Sequence, residues 1–291
     1  MRGILAMCAA MALFVINDTF VKLASTAWPV HQIMVIRGAF AVGIILCLLM
    51  AAGDHRHFAT LRKPIVIARC LIEGFIAYTF ISALALLPIA DITAILLISP
   101  LLITIAGVFF FGEDVRWRRW MAICIGFLGM ILVVNPGGSS FNSATFLALA
   151  STFGVAVRDL LTRRLPASVP SLVVAFGTTL ATLVTGTILS IAQPWQAFDT
   201  TILLYCLFAA VTVALGNYAI ILAFRNVEVS VVSPFRYTVI LWAVIAGYIG
   251  FGDAPTAVAW FGIVLIVASG LYTLYREQQT RNRQRSDSLA E

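Results

Sequence analysis

Ten apolar runs, each about twenty residues long, divide this chain almost from end to end: 3–25, 30–52, 64–87, 90–111, 117–134, 143–164, 168–192, 198–224, 228–250 and 255–275. A helix rises about 1.5 Å per residue, so runs of this length match the roughly 30 Å hydrocarbon core of a bilayer. The chain of 291 residues is 61% hydrophobic and 11% charged, against about a quarter charged residues in an ordinary soluble domain. A water-soluble fold has too little interior for that much apolar side chain. The alternating ten-residue pattern of a membrane β-barrel is missing. The expectation is an all-α integral membrane protein.

Turn signals separate the runs, among them Trp28-Pro29, Leu87-Pro88, Asn135-Pro136-Gly137-Gly138, Gln193-Pro194 and Gly252-Asp253-Ala254-Pro255. Numbering loops alternately assigns 14 of the 19 Lys and Arg residues to one side and none to the other. The other five, Lys22, Arg37, Arg69, Arg158 and Arg236, fall inside runs. This asymmetry predicts cytoplasmic termini. The net charge of +6 therefore reads as topology, not as a nucleic-acid surface. Arg2 and the short apolar stretch after it also fit a signal peptide, but Asp18 and Lys22 are foreign to one.

The chain repeats itself. Ile105-Ala106-Gly107, Phe111-Gly112-Glu113 and Trp120 recur 140 positions later as Ile245-Ala246-Gly247, Phe251-Gly252-Asp253 and Trp260. Tyr78/Tyr218, Ile81/Ile221, Ala83/Ala223 and Leu101/Leu241 keep the same spacing, and ten of 47 positions are identical from Gly74 to Trp120. Nearer the N-terminus the offset is 141, matching Asp18 to Asp159, Lys22 to Arg163 and Pro29 to Pro170. The units read as 1–135 and 143–275, followed by a basic tail, 276–291. Five spans per unit is an odd number, so the expectation is two inverted five-helix repeats with a site between them near the midplane, as in many secondary transporters.

Polar groups at depth are costly unless they meet a partner or a water-filled cavity. Asp18 and Arg37 sit about 6 Å outward of the midplane of helices 1 and 2, a depth that allows an ion pair. Position 178, where Arg37 would repeat, is Thr178, leaving Arg158, Arg163 or Arg236 to satisfy Asp159. Glu73 lies about 4 Å from the midplane, where burial would suit it to proton coupling, with H+ as the coupling ion. Arg69, one helical turn before it, would instead hold it ionised. Tyr78 and Tyr218, with Asn217 beside the second, are candidates for a cavity wall. Pro234 is expected to kink helix 9, where Arg236 and Tyr237 follow; Arg236 is the group best suited to grip a carboxylate or phosphate. Pro100 does not superpose on Pro234, so the centre is expected to be asymmetric. The expected binding and gating set is Asp18, Lys22, Arg37, Glu73, Tyr78, Asp159, Arg163, Asn217, Tyr218, Arg236 and Tyr237. The five cysteines lack metal or redox spacing and read as small core hydrophobes. No catalytic residue, metal or cofactor is expected.

The duplication, the punctuation Phe-Gly-Glu113 and Phe-Gly-Asp253, and the glycine-bearing helices after them resemble the EamA-domain branch of the drug/metabolite transporter superfamily across about residues 3–275. Asn17-Asp18-Thr19-Phe20-Val21-Lys22 and Ser233-Pro234-Phe235-Arg236-Tyr237 are similar to the branch likened to bacterial S-adenosylmethionine uptake carriers. The resemblance implies a solute carrier with a cavity among helices 1–4 and 6–9, helices 5 and 10 being peripheral. Its small four-helix exporters couple to protons through a helix 1 glutamate, and helix 1 has none here. The function expected is alternating-access transport of a small polar or zwitterionic metabolite: amino-acid-like, S-adenosylmethionine-like or a vitamin. A non-transporting membrane sensor or assembly partner and, behind it, a membrane-embedded enzyme are the alternatives.

Overall fold

A computed structural model describes residues 2–111, 117–135, 143–166, 168–224 and 229–290. Its helices are α1 (Arg2–Ala24), α2 (Val30–Ala52), α3 (Pro64–Leu84), α4 (Ile89–Leu96), α5 (Ser99–Phe111) and α6 (Trp117–Val134) in the first half. The second half holds α7 (Ser143–Arg163), α8 (Ser171–Ser190), α9 (Thr200–Phe224), α10 (Val229–Val232), α11 (Val239–Phe251) and α12 (Ala257–Ala290). A 3-10 helix, Asp54–Arg62, joins α2 to α3, and another, Ser233–Thr238, joins α10 to α11. Among the described residues nine spans are long and apolar enough to cross a membrane. The tenth run supplies the shorter apolar stretch Trp120–Val134, because Trp117-Arg118-Arg119 uses the first turn of α6 for polar ends. α12 continues without a break through the basic tail to Ala290.

The repeat is visible in the boundaries. α5 and α11 begin at Ser99 and Val239, 140 apart. Both the fourth and ninth spans are broken, and the second piece of each starts at the same repeat position. The two breaks share a restart position but differ in form, a two-residue turn at Leu97 and Ile98 in the first half and the 3-10 stretch Ser233–Thr238 in the second, so the centre is asymmetric as expected. Each proline is the second residue of a new helical segment, Pro100 in α5 and Pro234 in the 3-10 stretch. Proline tolerates that position because its missing N–H would be unpaired there in any case.

Packing follows the same rule. α1 lies on α9 as α3 lies on α7, and α1 touches α11 as α7 touches α4 and α5. α2 packs on its own counterpart α8, and α6 on α12. Contact between equivalent elements, with the other contacts exchanging, is the pattern of a pseudo-two-fold axis. Glycines set the self-contacts. A Cβ on Gly262 would lie 2.5 Å from the Gly129 carbonyl oxygen, and one on Gly129 2.7 Å from that of Gly262. On α8, Gly186 admits α2 where a Cβ would meet Met34 Cβ at 2.7 Å. Small residues draw helices together in lipid because packing, not hydrophobicity, must hold them. The core runs through α4, whose Ile89, Ile92 and Ile95 are almost fully buried, as are Leu84, Ile98 and Leu101 around it.

Candidate functional site

A cavity of about 670 Å³ opens where the two halves meet. Its wall is drawn from α1, α4, α5, α7, the Ser233–Thr238 turn, the start of α11, and α12. Much of it consists of repeat-related positions facing one another. Phe14 and Val155, and Asp18 and Asp159, are 141 apart; Leu96 and Arg236, Leu97 and Tyr237, and Ser99 and Val239 are 140 apart. The cavity therefore sits astride the pseudo-two-fold axis. The axis relates positions, not chemistry: a leucine pair on the first half stands opposite an arginine and a tyrosine on the second.

Helix breaks make this wall possible. Here Leu97 and Ile98 turn between α4 and α5, and six residues of 3-10 helix carry Arg236 and Tyr237. Arg236 is exposed, Tyr237 is 5% exposed, and both border the cavity. Among the described residues the Tyr237 hydroxyl has no hydrogen-bond partner. It lies against Gly270 of α12, where any Cβ would collide with it.

The paired aspartates are held alike but neutralised differently. Asn17 Nδ2 donates to Asp18 Oδ1 at 2.8 Å, and at the equivalent place Arg158 Nε donates to Asp159 Oδ1 at 2.9 Å. Arg158 brings a positive charge, with Nη2 2.8 Å from the same Asp159 oxygen and Nη1 3.6 Å from Glu73 Oε1. Asn17 brings none. The Asp18 carboxylate faces the cavity with a neutral amide as its hydrogen-bond donor.

The structure gathers Asp18, Asp159, Arg163, Arg236 and Tyr237 of the expected set around this cavity. Glu73 stands behind the wall, joined to it through Arg158. Arg69 does not hold Glu73 by a salt bridge; its Nε donates to Thr162 Oγ1 at 2.9 Å, because α7 lies closer to it than the next turn of its own helix offers. Arg37 and Asp18 make no direct salt bridge. Lys22 lies outside the cavity wall, its Nζ donating to the Leu87 carbonyl at 2.7 Å and 3.5 Å from Asp253 Oδ2. Tyr78 and Tyr218, 37% and 59% exposed, and the exposed Asn217 also lie outside that wall. The Glu113 of the repeat punctuation falls outside the described residues.

Sequence reasoning passed over Thr93, Leu96, Leu97, Ser99 and Thr104 of α4 and α5, and treated Arg158 only as a partner. The offset contained a signal for two of them. Subtracting 140 from Arg236 and Tyr237 lands on Leu96 and Leu97, which were invisible because their side chains are apolar.

The cavity is lined from the N-terminal half of α1, at Met11, to the last residues of α7 and the α12 span, Arg163 and Leu274. All of these lie toward the end where α1 begins and Arg276 leaves the span, and Thr162 and Arg163 are exposed there. That basic end is the open one. At the far end, Lys22, Trp28 and Gln32 of the first half are bonded to residues of the second.

A sequence model of the EamA-like transporter family matches residues 1–135 and 142–275. The chain is 29% identical over 292 residues to a riboflavin transporter of Vibrio cholerae, covering 98% of this chain and 97% of that one. It is 24% identical over 268 residues to an S-adenosylmethionine uptake transporter of Rickettsia conorii, covering 92% and 90%. A pseudopaline exporter of Pseudomonas aeruginosa is 25% identical over 274 residues, covering 92% and 94%. A protein of known crystal structure superposes with a TM-score of 0.66 at 21% identity, covering 95% of this chain and 98% of the other, and so shares the fold. Two family matches, one on each side of the cavity, make this multi-pass membrane protein a member of the EamA-like transporter family.

Proposed function

We propose that the chain is a secondary carrier, not an enzyme, and that it moves a small polar or zwitterionic metabolite through the cavity by rocking one repeat, 1–135, against the other, 143–275. The observation that carries this reading is the cavity's place on the pseudo-two-fold axis, where equivalent residues of two inverted units line one space. Such a site can be exposed to either side when the halves exchange conformations. Relatives named for riboflavin, S-adenosylmethionine and pseudopaline support a metabolite or vitamin as the solute. Arg236 with the unbonded Tyr237 hydroxyl would hold an anionic or carbonyl group, and Asp18 a cationic one. Asp18, which faces the cavity, joins Glu73, which stands behind the wall on Arg158, as a candidate to take a coupling proton. The basic loops support cytoplasmic termini in a bacterial inner membrane, which makes the structure inward-open.

The test is flux and thermal stabilisation of the purified protein against riboflavin, S-adenosylmethionine and amino acids. A bound solute raises Tm by mass action. Arg236→Ala is expected to abolish both the Tm shift and flux while leaving the unliganded Tm in place. Undiminished flux in Arg236→Ala would remove Arg236 from the site; flux of no solute by the wild-type chain in sealed vesicles would remove the carrier reading.

A further inference from the structure

At the far end bonds join the two halves directly. Lys22 of α1 lies at the centre of these bonds, its side chain 12% exposed. Its ammonium meets the Leu87 carbonyl at 2.7 Å, Asp253 at 3.5 Å and the face of Phe251 at 4.8 Å. The carbonyl is available because Pro88 opens α4: Asp91 and Ile92 N–H groups bond to Pro88, leaving Leu87 outside the ladder. Asp253 is available because Gly252 takes φ 70° and reverses the chain, with the Asp253 N–H bonded back to the Gly247 oxygen at 3.0 Å. Only glycine adopts that conformation without strain. Lys22 thus ties α1 and the α3–α4 turn to the end of α11, first half to second.

The repeat counterpart of Lys22 is Arg163, 141 positions later. Arg163 lines the open cavity, is exposed, and among the described residues takes part in no ion pair. One cation of the pair is engaged at the closed end while its mate is unengaged at the open end. We propose that Lys22 and Arg163 are alternate latches of the transport pathway. Lys22 holds the far end shut in the state described here, and Arg163 takes the equivalent role at the basic end once Lys22 has released. The proposal rests on the alternating-access reading and adds which side chains set the balance between its two states.

Spin labels test it without any solute. Thr26 and Ala254, exposed on opposite halves at the far end, are changed to Cys in the full chain after its five native cysteines are replaced. Far-end distances are then measured by electron double resonance in lipid nanodiscs. Lys22→Gln and, from the other side, Asp253→Asn are expected to raise the long-distance population about fivefold or more, the lower range of ligand-scale couplings. Lys22→Arg keeps the charge and is expected to restore the short distance. In Lys22→Gln/Arg163→Gln the loss of both latches is expected to return the population toward wild type. Unchanged distances in both Lys22→Gln and Asp253→Asn would overturn the Lys22 latch. A double variant indistinguishable from Lys22→Gln would overturn the part given to Arg163. A far end that opens as expected in a chain that moves no solute would leave the latch standing and the transport reading refuted.

Discussion

The two ends of the cavity axis are built from different kinds of bond. At the far end Gln32, fully buried, accepts from the Gln196 N–H at 2.9 Å and donates to the Gln196 oxygen at 3.2 Å. Trp28 donates from Nε1 to the Ala197 oxygen at 3.1 Å and meets Phe198 edge-on. These bonds clamp the segment before α9 over the end of the pathway, beside Lys22. The basic end has bonds between halves as well, Arg69 to Thr162 and Lys63 Nζ to Ser168 Oγ at 3.4 Å. They run along the α3–α7 edge and leave the mouth formed by α7, α12 and the 3-10 turn uncovered. Closure therefore depends on where bonds between halves fall relative to the cavity, not on whether such bonds exist.

That contrast can be tested by substitutions at the wall, at the peripheral seam and at the far-end clamp. The largest effect is expected at Arg158, which is bonded to both Glu73 and Asp159. Removing one partner of a desolvated ion pair strands the charge left behind, so Arg158→Ala is expected to cost about 3 kcal/mol and to abolish flux. Both are read from Tm and vesicle uptake. Gly262→Ala comes next, at about 2 kcal/mol, because its Cβ meets the Gly129 carbonyl. As a seam far from both ends, it is expected to lower Tm without changing the far-end spin-label distances. Gln32→Ala reverses that result. It loses two bonds worth together about 1–2 kcal/mol and is expected to lengthen the far-end distances and expose 193–199 to proteolysis.

The smallest effect concerns Asp199, whose Oδ1 accepts from the Thr201 and Ile202 N–H groups at 2.6 and 3.3 Å and so caps α9. Those bonds favour the carboxylate and hold its pKa below the ordinary value. A depressed folded-state pKa means the stabilisation is present above the unfolded-state value of about 3.9 and is lost as pH falls. Asp199→Ala is expected to lower Tm at neutral pH. The difference from wild type is expected to narrow as pH falls below that unfolded-state value and the carboxylate is protonated, which a Tm series over pH checks.

The sequence alone carried the membrane environment, the ten runs, the duplication and the family resemblance. Each depends on composition or on spacing along the chain, and a bilayer makes both highly restrictive. It also carried five of the cavity residues, because a charge or a tyrosine beside a proline stands out in an apolar run. Tertiary structure decided the partners. Glu73 and Arg69 share a helical turn, yet each bonds to α7, since a neighbouring helix packed within bonding distance competes with an i,i+4 contact. Lys22 and Asp253, 231 positions apart, meet only because α1 packs on α11. Leu96 and Leu97 line the cavity because of where α4 breaks, not because of their own chemistry. Depth and spacing are properties of one chain segment, whereas a bond across halves depends on how two segments approach, and that is set by the packing of the whole.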